Sequence, residues 1–216
     1  MDIAKNIETL LEEIPATVKL VAVSKTKSNE EIMQAYNAGQ RVFGENKIQE
    51  MSRKYEELPK DIQWHMIGHV QSNKVKYMAP YVSLIHGVDS QKLLKEIDKQ
   101  ALRNNRVINC LLQIHIAKEE SKFGLSIEAC HEAIEMAQSL QSTNIVGLMG
   151  MATLTNDQGQ IAKEFEALKT LYDKLIHQNV PLEIISMGMS GDYPIAIKKG
   201  SNMIRVGSKI FGLRNY

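Results

Sequence analysis

Lys25 is the residue of this chain that is best placed for chemistry. It follows the apolar residues 20–23 and Ser24, and it is followed by Thr26 and Lys27 at the start of a predicted helix. An amine held at the end of a buried strand is partly desolvated, which favours its neutral, nucleophilic form. Lysines are most often exposed, so Lys25 could also mark the point where a strand reaches the surface. The rest of the chain favours a lysine that forms a Schiff base.

Two turns near the end of the sequence carry residue types that bind anions. The first is Ser190-Gly191-Asp192 and the second is Arg205-Val206-Gly207-Ser208. Glycines let backbone amides approach an anion, serines offer hydroxyls and arginine adds a permanent charge. Such residues are also common in ordinary turns. A lysine amine together with a phosphate site predicts pyridoxal 5′-phosphate (PLP) as the cofactor, since its aldehyde condenses with amines.

The elements that must position these residues alternate between strands and helices. Short runs rich in β-branched residues predict strands at 18–23, 41–43, 62–66, 82–86, 107–114, 144–149, 181–185 and 203–206. Helical patterns lie between them, and Ser28 and Glu31 have the spacing of a capping box. Alternation of this kind indicates a parallel sheet with right-handed crossovers.

The count of these units predicts one closed (β/α)8 barrel of the TIM type, preceded by an N-terminal helix and covering residues 1–216 as a single domain. An open, doubly wound sheet is the alternative, because weak strands such as 41–43 can be miscounted. In a barrel, Val21 and Val23 should face the axis below Lys25, while Leu20 and Ala22 face the helices. Lys25 and both turns then lie at the carboxyl ends of strands, where barrels place their sites and where phosphate often binds after strands seven and eight.

Composition excludes several classes of function. The chain has 26 Lys and Arg residues against 25 Asp and Glu residues, and a net charge of +1, so no global field attracts nucleic acid or an anionic membrane. Cys110 and Cys130 form no CxxC pair, and no run reaches the length of a membrane span. We expect a cytoplasmic monomer that has no disulfide and no metal site.

Other polar residues permit two interpretations each. His65 and His69 are four residues apart, but Gly68 lies between them where a strand should end, so we favour no metal ligation. Asn46 either contacts the cofactor or caps the helix that follows. Lys118 and Lys122 lie after the fifth strand in what reads as a solvated loop.

Several motifs resemble the successive signatures of the pyridoxal phosphate homeostasis proteins over nearly the whole chain. They are Leu20-Val21-Ala22-Val23-Ser24-Lys25-Thr26-Lys27, Phe43-Gly44-Glu45-Asn46, the segment from Trp64 to Lys74, Gly147-Leu148-Met149-Gly150-Met151-Ala152, Ser186-Met187-Gly188-Met189-Ser190 and Arg205-Val206-Gly207-Ser208. The resemblance implies a fold similar to the barrel domain of bacterial alanine racemase. It implies that Lys25 holds PLP and that Ser190, Arg205, Gly207 and Ser208 bind the phosphate.

The family is associated with balancing the vitamin B6 vitamers and has no established turnover. The resemblance therefore implies a PLP-binding protein that stores, buffers or passes on its cofactor, with apo-enzymes that use PLP as partners. The alternative is a PLP enzyme such as an amino-acid racemase, which needs acid and base groups on both faces of the substrate. We expect no second domain to supply them, since Tyr216 follows the eighth unit directly.

Overall fold

The computed structural model describes residues 2–119 and 123–212, and it contains a closed barrel of eight parallel strands in chain order. Each strand pairs with the next, and β1 pairs with β8 through Leu20 opposite Ile204 and Val21 opposite Arg205. The strands are β1 (Lys19–Val23), β2 (Val42–Glu45), β3 (Gln63–Met66), β4 (Leu84–Val88), β5 (Ile108–Gln113), β6 (Thr143–Met149), β7 (Ile184–Ser186) and β8 (Met203–Val206). The predicted barrel is confirmed, and the open sheet is wrong.

Helices follow the strands and cover the outside of the barrel. They are α1 (Ile3–Glu13), α2 (Asn29–Asn37), α3 (Ile48–Glu57), α4 (Val75–Met78), α5 (Gln91–Arg103), α6 (Ile127–Ala137), α7 (Gln158–His177), α8 (Tyr193–Lys198) and α9 (Ser208–Phe211). The expected N-terminal helix is α1, whose first turn is capped by the Asp2 carboxylate. The predicted capping box is also present, because Ser28 Oγ accepts from the Glu31 amide while Glu31 accepts from the Ser28 amide.

Two strands are displaced from their predicted positions. β4 begins at Leu84 rather than at residue 82, because the Val82 amide still bonds to the Met78 carbonyl in the turn after α4. β7 begins at Ile184 rather than at residue 181, which is a proline and has no amide to donate. In both cases strand-forming residues lie in a segment that precedes the strand, so the sequence predicts a strand that begins too early.

The apolar residues form one cluster inside the barrel and a larger one between barrel and helices. Val21 belongs to the inner cluster, with Met149 and Met203. Leu20 and Ala22 belong to the outer cluster, as the alternation along β1 predicts. The inner cluster fills the barrel below the carboxyl ends of its strands, so a site can form only above it.

Three expectations from composition concern single features of the described residues. Cys110 and Cys130 are buried free thiols. Within residues 2–119 and 123–212, no three His, Cys, Asp or Glu side chains gather as a metal site would require. None of the helices in that part of the chain combines the length and the apolar character needed to cross a bilayer.

Candidate functional site

A cavity of about 360 Å³ opens at the carboxyl ends of the strands, where the sequence predicts the site. All of the predicted cofactor-binding residues line it, namely Lys25, Asn46, Ser190, Gly191, Arg205, Gly207 and Ser208. The remaining lining residues are Val23, Lys27, Ile67, Met151, Leu154, Met189 and Gly212. Residues from both ends of the chain therefore meet in one cavity, because β1 closes the barrel on β8.

Lys25 lies in a tight turn directly after β1. The turn is closed by a hydrogen bond of 3.0 Å from the Lys27 amide to the Ser24 carbonyl. Thr26, the next residue, has φ of 66°, in the left-handed region that β-branched residues rarely adopt. Lys25 is half-buried at the cavity wall. The turn thus places a half-buried lysine in the lining of the cavity.

The loops after β7 and β8 are joined to each other at the opposite wall. The Gly207 amide donates to Ser190 Oγ at 3.1 Å, which fixes one loop against the other. A Cβ at Gly207 would lie 3.2 Å from the Val23 carbonyl oxygen, so a side chain there would crowd β1. A Cβ at Gly191 would meet nothing within 4 Å. The backbone is thus close-packed at Gly207 and open toward the cavity at Gly191, which suits an anion held by main-chain amides.

Arg205 lies lower than the two turns, at the floor of the cavity. Its side chain projects inward from β8 beside Val21 and is only 4% exposed. Nη1 donates to the Ser186 carbonyl at 2.9 Å and to Ser186 Oγ at 2.6 Å, and Nη2 donates to the Gly150 carbonyl at 3.1 Å. Burial lowers the pKa of Arg205 to about 10, with the Asp192 carboxylate opposing the shift, so the guanidinium stays charged at neutral pH.

Two histidines extend this polar group into the barrel. His86 Nδ1 lies 3.2 Å from Ser186 Oγ, and His86 Nε2 lies 3.0 Å from His65 Nδ1. Burial lowers the pKa of His65 to about 3, with a smaller contribution from Lys19. Burial lowers the pKa of His86 as well, and the neighbouring His65 and Arg205 add to this shift by charge repulsion. Both imidazoles are therefore neutral at physiological pH.

Asn46 lines the cavity and caps no helix. α3 begins at Ile48 with Lys47 in the cap position, and no side chain bonds to its first amides. The interpretation of Asn46 as a helix cap is therefore wrong. A Cβ at Gly68 would lie 2.5 Å from the Asn46 carbonyl oxygen, so the glycine lets the loop after β3 pack against this residue.

The remaining polar residues singled out in the sequence lie apart from the cavity. His65 faces the barrel interior, whereas His69 bonds to Asp89 at 3.0 Å and stacks on Phe123. The Lys118 amide donates to Thr153 Oγ1 at 3.1 Å in an exposed loop. Lys122 lies outside the described residues.

Sequence reasoning missed several residues that shape the site. Ile67 and Leu154 line the cavity, and Leu154 is 92% exposed at its rim. Ser186 accepts from Arg205 and bonds to His86, and both Ser186 and His86 are buried inside the barrel. Ser186 and His86 are polar residues at inward-facing positions of their strands, and this was the available signal in the sequence. The distance between them could not be predicted, because it depends on how the barrel closes.

Comparison with known proteins decides the family. Residues 2–215 match the family described as "Alanine racemase, N-terminal domain". A pyridoxal phosphate homeostasis protein of Aquifex aeolicus is 40% identical over 200 residues, which cover 92% of this chain and 88% of the relative. The chain belongs to the pyridoxal phosphate homeostasis protein family. A member of this family from Schizosaccharomyces pombe is 39% identical over 201 residues, covering 91% of this chain and 84% of its own length.

Solved structures show the same relationship in three dimensions. PipY of Synechococcus elongatus PCC7942, solved without PLP, is 35% identical, with a TM-score of 0.93 over 97% of this chain and 100% of PipY. PipY has also been solved with PLP bound, and that structure gives a TM-score of 0.90. Alanine racemase from E. faecalis matches with a TM-score of 0.77 at 18% identity and is covered over 58% of its length, so that likeness concerns the fold alone. The resemblance found in the sequence is confirmed at the level of family and fold.

Proposed function

We propose that residues 1–216 form a single domain that binds PLP through the amine of Lys25 and acts in PLP homeostasis as a carrier rather than as an enzyme. The observation that supports this most directly is that Lys25, the two loops after β7 and β8, and Arg205 line one cavity. The family relationship points the same way, since PipY has been solved with PLP bound.

The residues present fit this cofactor in chemical type. The cavity volume is within the lower part of the range of small-molecule sites. The structure shows no hydrogen bond from the amides of Gly191 and Ser208 to another described residue, so both can donate to a phosphate. Arg205 supplies a positive charge at the floor, and Asn46 supplies an amide at the wall.

Each residue of the site has a separate task in this proposal. When bound, PLP supplies an aldehyde that condenses with a lysine amine, with loss of water, and an electron-withdrawing ring. Lys25 holds the cofactor covalently. Ser190 joins the two loops through the Gly207 amide, and Gly191 and Ser208 present amides to the phosphate. Arg205, held by Ser186 and Gly150, keeps its protons and presents a fixed cation at the floor of the cavity.

The lining of the cavity favours a carrier over a racemase. Its polar side chains among the described residues are lysine, arginine, asparagine and serine. Lys27 is already bonded to Glu31 and to the Phe211 carbonyl, at 3.1 and 2.8 Å. Racemisation needs a proton donor and acceptor on each face of the substrate α-carbon, and Lys25 would serve only one of them.

Borohydride reduction of the PLP-loaded protein tests the covalent assignment. We expect a visible absorption band that shifts on reduction, with the reduced adduct on the peptide containing Lys25. Lys25→Gln should lose the band, whereas Lys47→Gln, a change at an exposed lysine, should keep it. An adduct on Lys47 or Lys74 in the wild-type protein would show that Lys25 is not the attachment point.

A second experiment separates carrier from enzyme. The loaded protein is incubated with common amino acids while α-proton exchange, racemisation, decarboxylation and transamination are followed, and with an apo-enzyme that uses PLP. We expect transfer of PLP to the apo-enzyme and amino-acid turnover well below about 1 s⁻¹, the lower end of ordinary enzymes. Turnover above that level would make the protein an enzyme and overturn the carrier proposal. The proposal also places a monomer in the cytoplasm, which light scattering and cell fractionation can check.

A further inference from the structure

Lys54 on α3 is a lysine whose side chain is completely buried. Its ammonium donates to the Ser24 carbonyl at 2.8 Å, to Glu45 Oε1 at 2.8 Å and to Glu50 Oε1 at 2.7 Å. The exposed fraction of the Lys54 side chain is 0%, as is that of Glu45. All three protons of the ammonium therefore have acceptors. This agrees with the general rule that a lysine is almost never fully buried unless it is paired.

These contacts end on both sides of Lys25. On the N-terminal side, Ser24 donates its hydroxyl to Glu45 Oε1 at 2.6 Å, and its carbonyl accepts from Lys54. On the C-terminal side, the Thr26 amide donates to Glu50 Oε1 at 2.7 Å. The residues before and after Lys25 are thus held by one network that Lys54, Glu45 and Glu50 form. We call these three residues the α3 clamp.

The α3 clamp is costly as a contribution to stability alone. Removing the Lys54 ammonium and the Glu45 carboxylate from water carries a large desolvation penalty, and apolar replacements of such groups are often neutral or stabilising. Glu45 Oε2 is buried and meets no hydrogen-bond partner among the described residues. Burial raises the pKa of Glu45 against the opposing charge of Lys54. A group of this kind is better explained by what it holds in place.

The α3 clamp holds a turn in a conformation that the chain does not favour by itself. Thr26 has φ of 66°, which is unfavourable for a β-branched residue, and such a conformation persists only where the surroundings impose it. The Thr26 amide is bonded to Glu50 in this conformation. Without that bond, the turn could relax and Lys25 would leave its place at the cavity wall.

We propose that Lys54, Glu45 and Glu50 are positioning residues that hold the turn of Ser24 and Thr26 so that the Lys25 amine meets the aldehyde of the cofactor. The inference rests on the proposed function, because it gives the α3 clamp a role in adduct formation. A small misplacement of one reacting group can cost about 100-fold in rate. The α3 clamp should therefore affect the covalent step more than the non-covalent binding of the cofactor.

Variants of Glu50 provide the cleanest test, because this residue is partly exposed and the fold should tolerate its replacement. In Glu50→Ala, we expect the rate constant for adduct formation with PLP, followed by absorbance, to fall by about 10- to 100-fold. Glu50→Gln keeps an oxygen for the Thr26 amide and should stay within about threefold of the wild type. Asp173→Ala is the control, since it breaks the more exposed Lys169–Asp173 pair, which has the same i,i+4 spacing on α7, and it should leave the rate constant unchanged.

A second ligand separates positioning from general damage. Pyridoxine 5′-phosphate has an alcohol in place of the aldehyde and cannot form the adduct, so its affinity reports the phosphate and ring contacts only. We expect its affinity for Glu50→Ala to match that for the wild type within about threefold. The urea midpoint of each apo-protein is measured alongside, and Lys54→Met is included where it folds.

Each result has a defined meaning. Adduct formation by Glu50→Ala at the wild-type rate overturns the positioning role. An equal loss of affinity for pyridoxine 5′-phosphate also overturns it, because the α3 clamp would then maintain the whole cavity. A wild-type protein that binds pyridoxine 5′-phosphate but forms no adduct on Lys25 would refute the proposed covalent function. It would not refute the contribution of the α3 clamp to the turn. Hydrogen exchange of the Thr26 amide in Glu50→Ala would still report that contribution.

Discussion

The hydroxyl of Ser186 lies 2.6 Å from Nη1 of Arg205, and this contact sets the direction of a hydrogen-bond chain inside the barrel. A guanidinium can only donate, so Ser186 Oγ accepts from Arg205 and gives its own proton to His86 Nδ1. His86 then carries its proton on Nε2 and donates it to His65 Nδ1. This assignment of tautomers follows from the network. The positive charge stays on Arg205, and both histidines act as neutral supports.

The buried histidines predict that acid weakens the fold. The folded-state pKa of His65 is about 3, below its ordinary value of 6.5, so the unfolded chain takes up a proton first as the pH falls. The contribution of His65 to the unfolding free energy is therefore present above pH 6.5 and is lost as the pH falls below that value. From pH about 7.5 to about 5, His65 alone should cost about 2 kcal/mol of unfolding free energy, measured by urea titration. His86 shifts in the same direction.

Variants separate this effect from the titration of other groups. His65→Gln should show a smaller loss of unfolding free energy over that pH range than the wild type. His177→Gln, a change at an exposed histidine on α7, should retain the full loss. An identical pH dependence in all three proteins would contradict the assignment to His65.

Arg205 and Ser190 should affect vitamer binding differently. Arg205→Met removes a cation at the cavity floor, and the affinity for PLP and for pyridoxal should both fall by about 10- to 100-fold. Ser190→Ala removes the hydrogen bond from the Gly207 amide that joins the two loops. It should therefore lower the affinity for PLP but not the affinity for pyridoxal, which lacks the phosphate. Fluorescence titrations with both vitamers measure the two ratios. Equal affinity of the wild-type protein for PLP and pyridoxal would rule out a phosphate site at these loops.

The same Arg205 substitution should also destabilise the apo-protein. It leaves the carbonyls of Ser186 and Gly150 without their donor in a buried place, a loss of about 1–3 kcal/mol. The resemblance found in the sequence implied only that Arg205 binds the phosphate, with no part in the fold. A thermal or urea midpoint equal to that of the wild type would support that simpler view.

The left-handed conformation of Thr26 can be tested by two small substitutions. Glycine adopts φ of 66° without steric cost, whereas alanine keeps the unfavourable Cβ contact. Thr26→Gly should therefore exceed Thr26→Ala in unfolding free energy by about 1 kcal/mol, despite the greater flexibility of glycine in the unfolded chain. The reverse order would mean that the turn relaxes when the threonine is removed.

Gly147 in β6 should not tolerate a methyl group. A Cβ there would lie 1.9 Å from the Ile184 carbonyl oxygen in the neighbouring strand β7, and backbone atoms cannot move aside cheaply. Gly147→Ala should lower the unfolding free energy by about 3 kcal/mol or more, measured by urea titration. Gly191→Ala faces open space and should change it by less than about 0.5 kcal/mol. Similar values for both would contradict the close contact between β6 and β7.

The sequence was sufficient to predict the barrel and most of the cavity, because both depend on local signals. Strand-forming runs give the element order, and Lys25, Ser190 and Gly207 lie in the turns that follow β1, β7 and β8, so topology alone brings them to one end of the barrel. Lys54 shows the limit of this reasoning. With Glu50 four residues before it, it reads as part of a solvated helix face, and only the packing of α3 beneath the Lys25 turn buries it.

The pairing of His65 with His86 has a similar explanation. The spacing of His65 and His69 raised the question of a metal, but the two rings occupy different environments once β3 ends at Met66. His86 is 21 residues away in sequence, and its distance from His65 depends on the register between β3 and β4. That register is set by closure of the whole barrel rather than by any segment that can be read by itself.

The closure of β1 on β8 also has a consequence for the order of events during synthesis. Lys25 is synthesised before every other element of the barrel except α1 and β1, whereas Gly207, Ser208 and Gly212 of the same cavity follow β8. At about 5–20 residues per second, roughly 10–40 s separate their appearance. A nascent chain therefore exposes its reactive lysine well before the opposite wall exists. Only a chain that has been extended past β8 can enclose a ligand there, so shorter nascent chains should capture none.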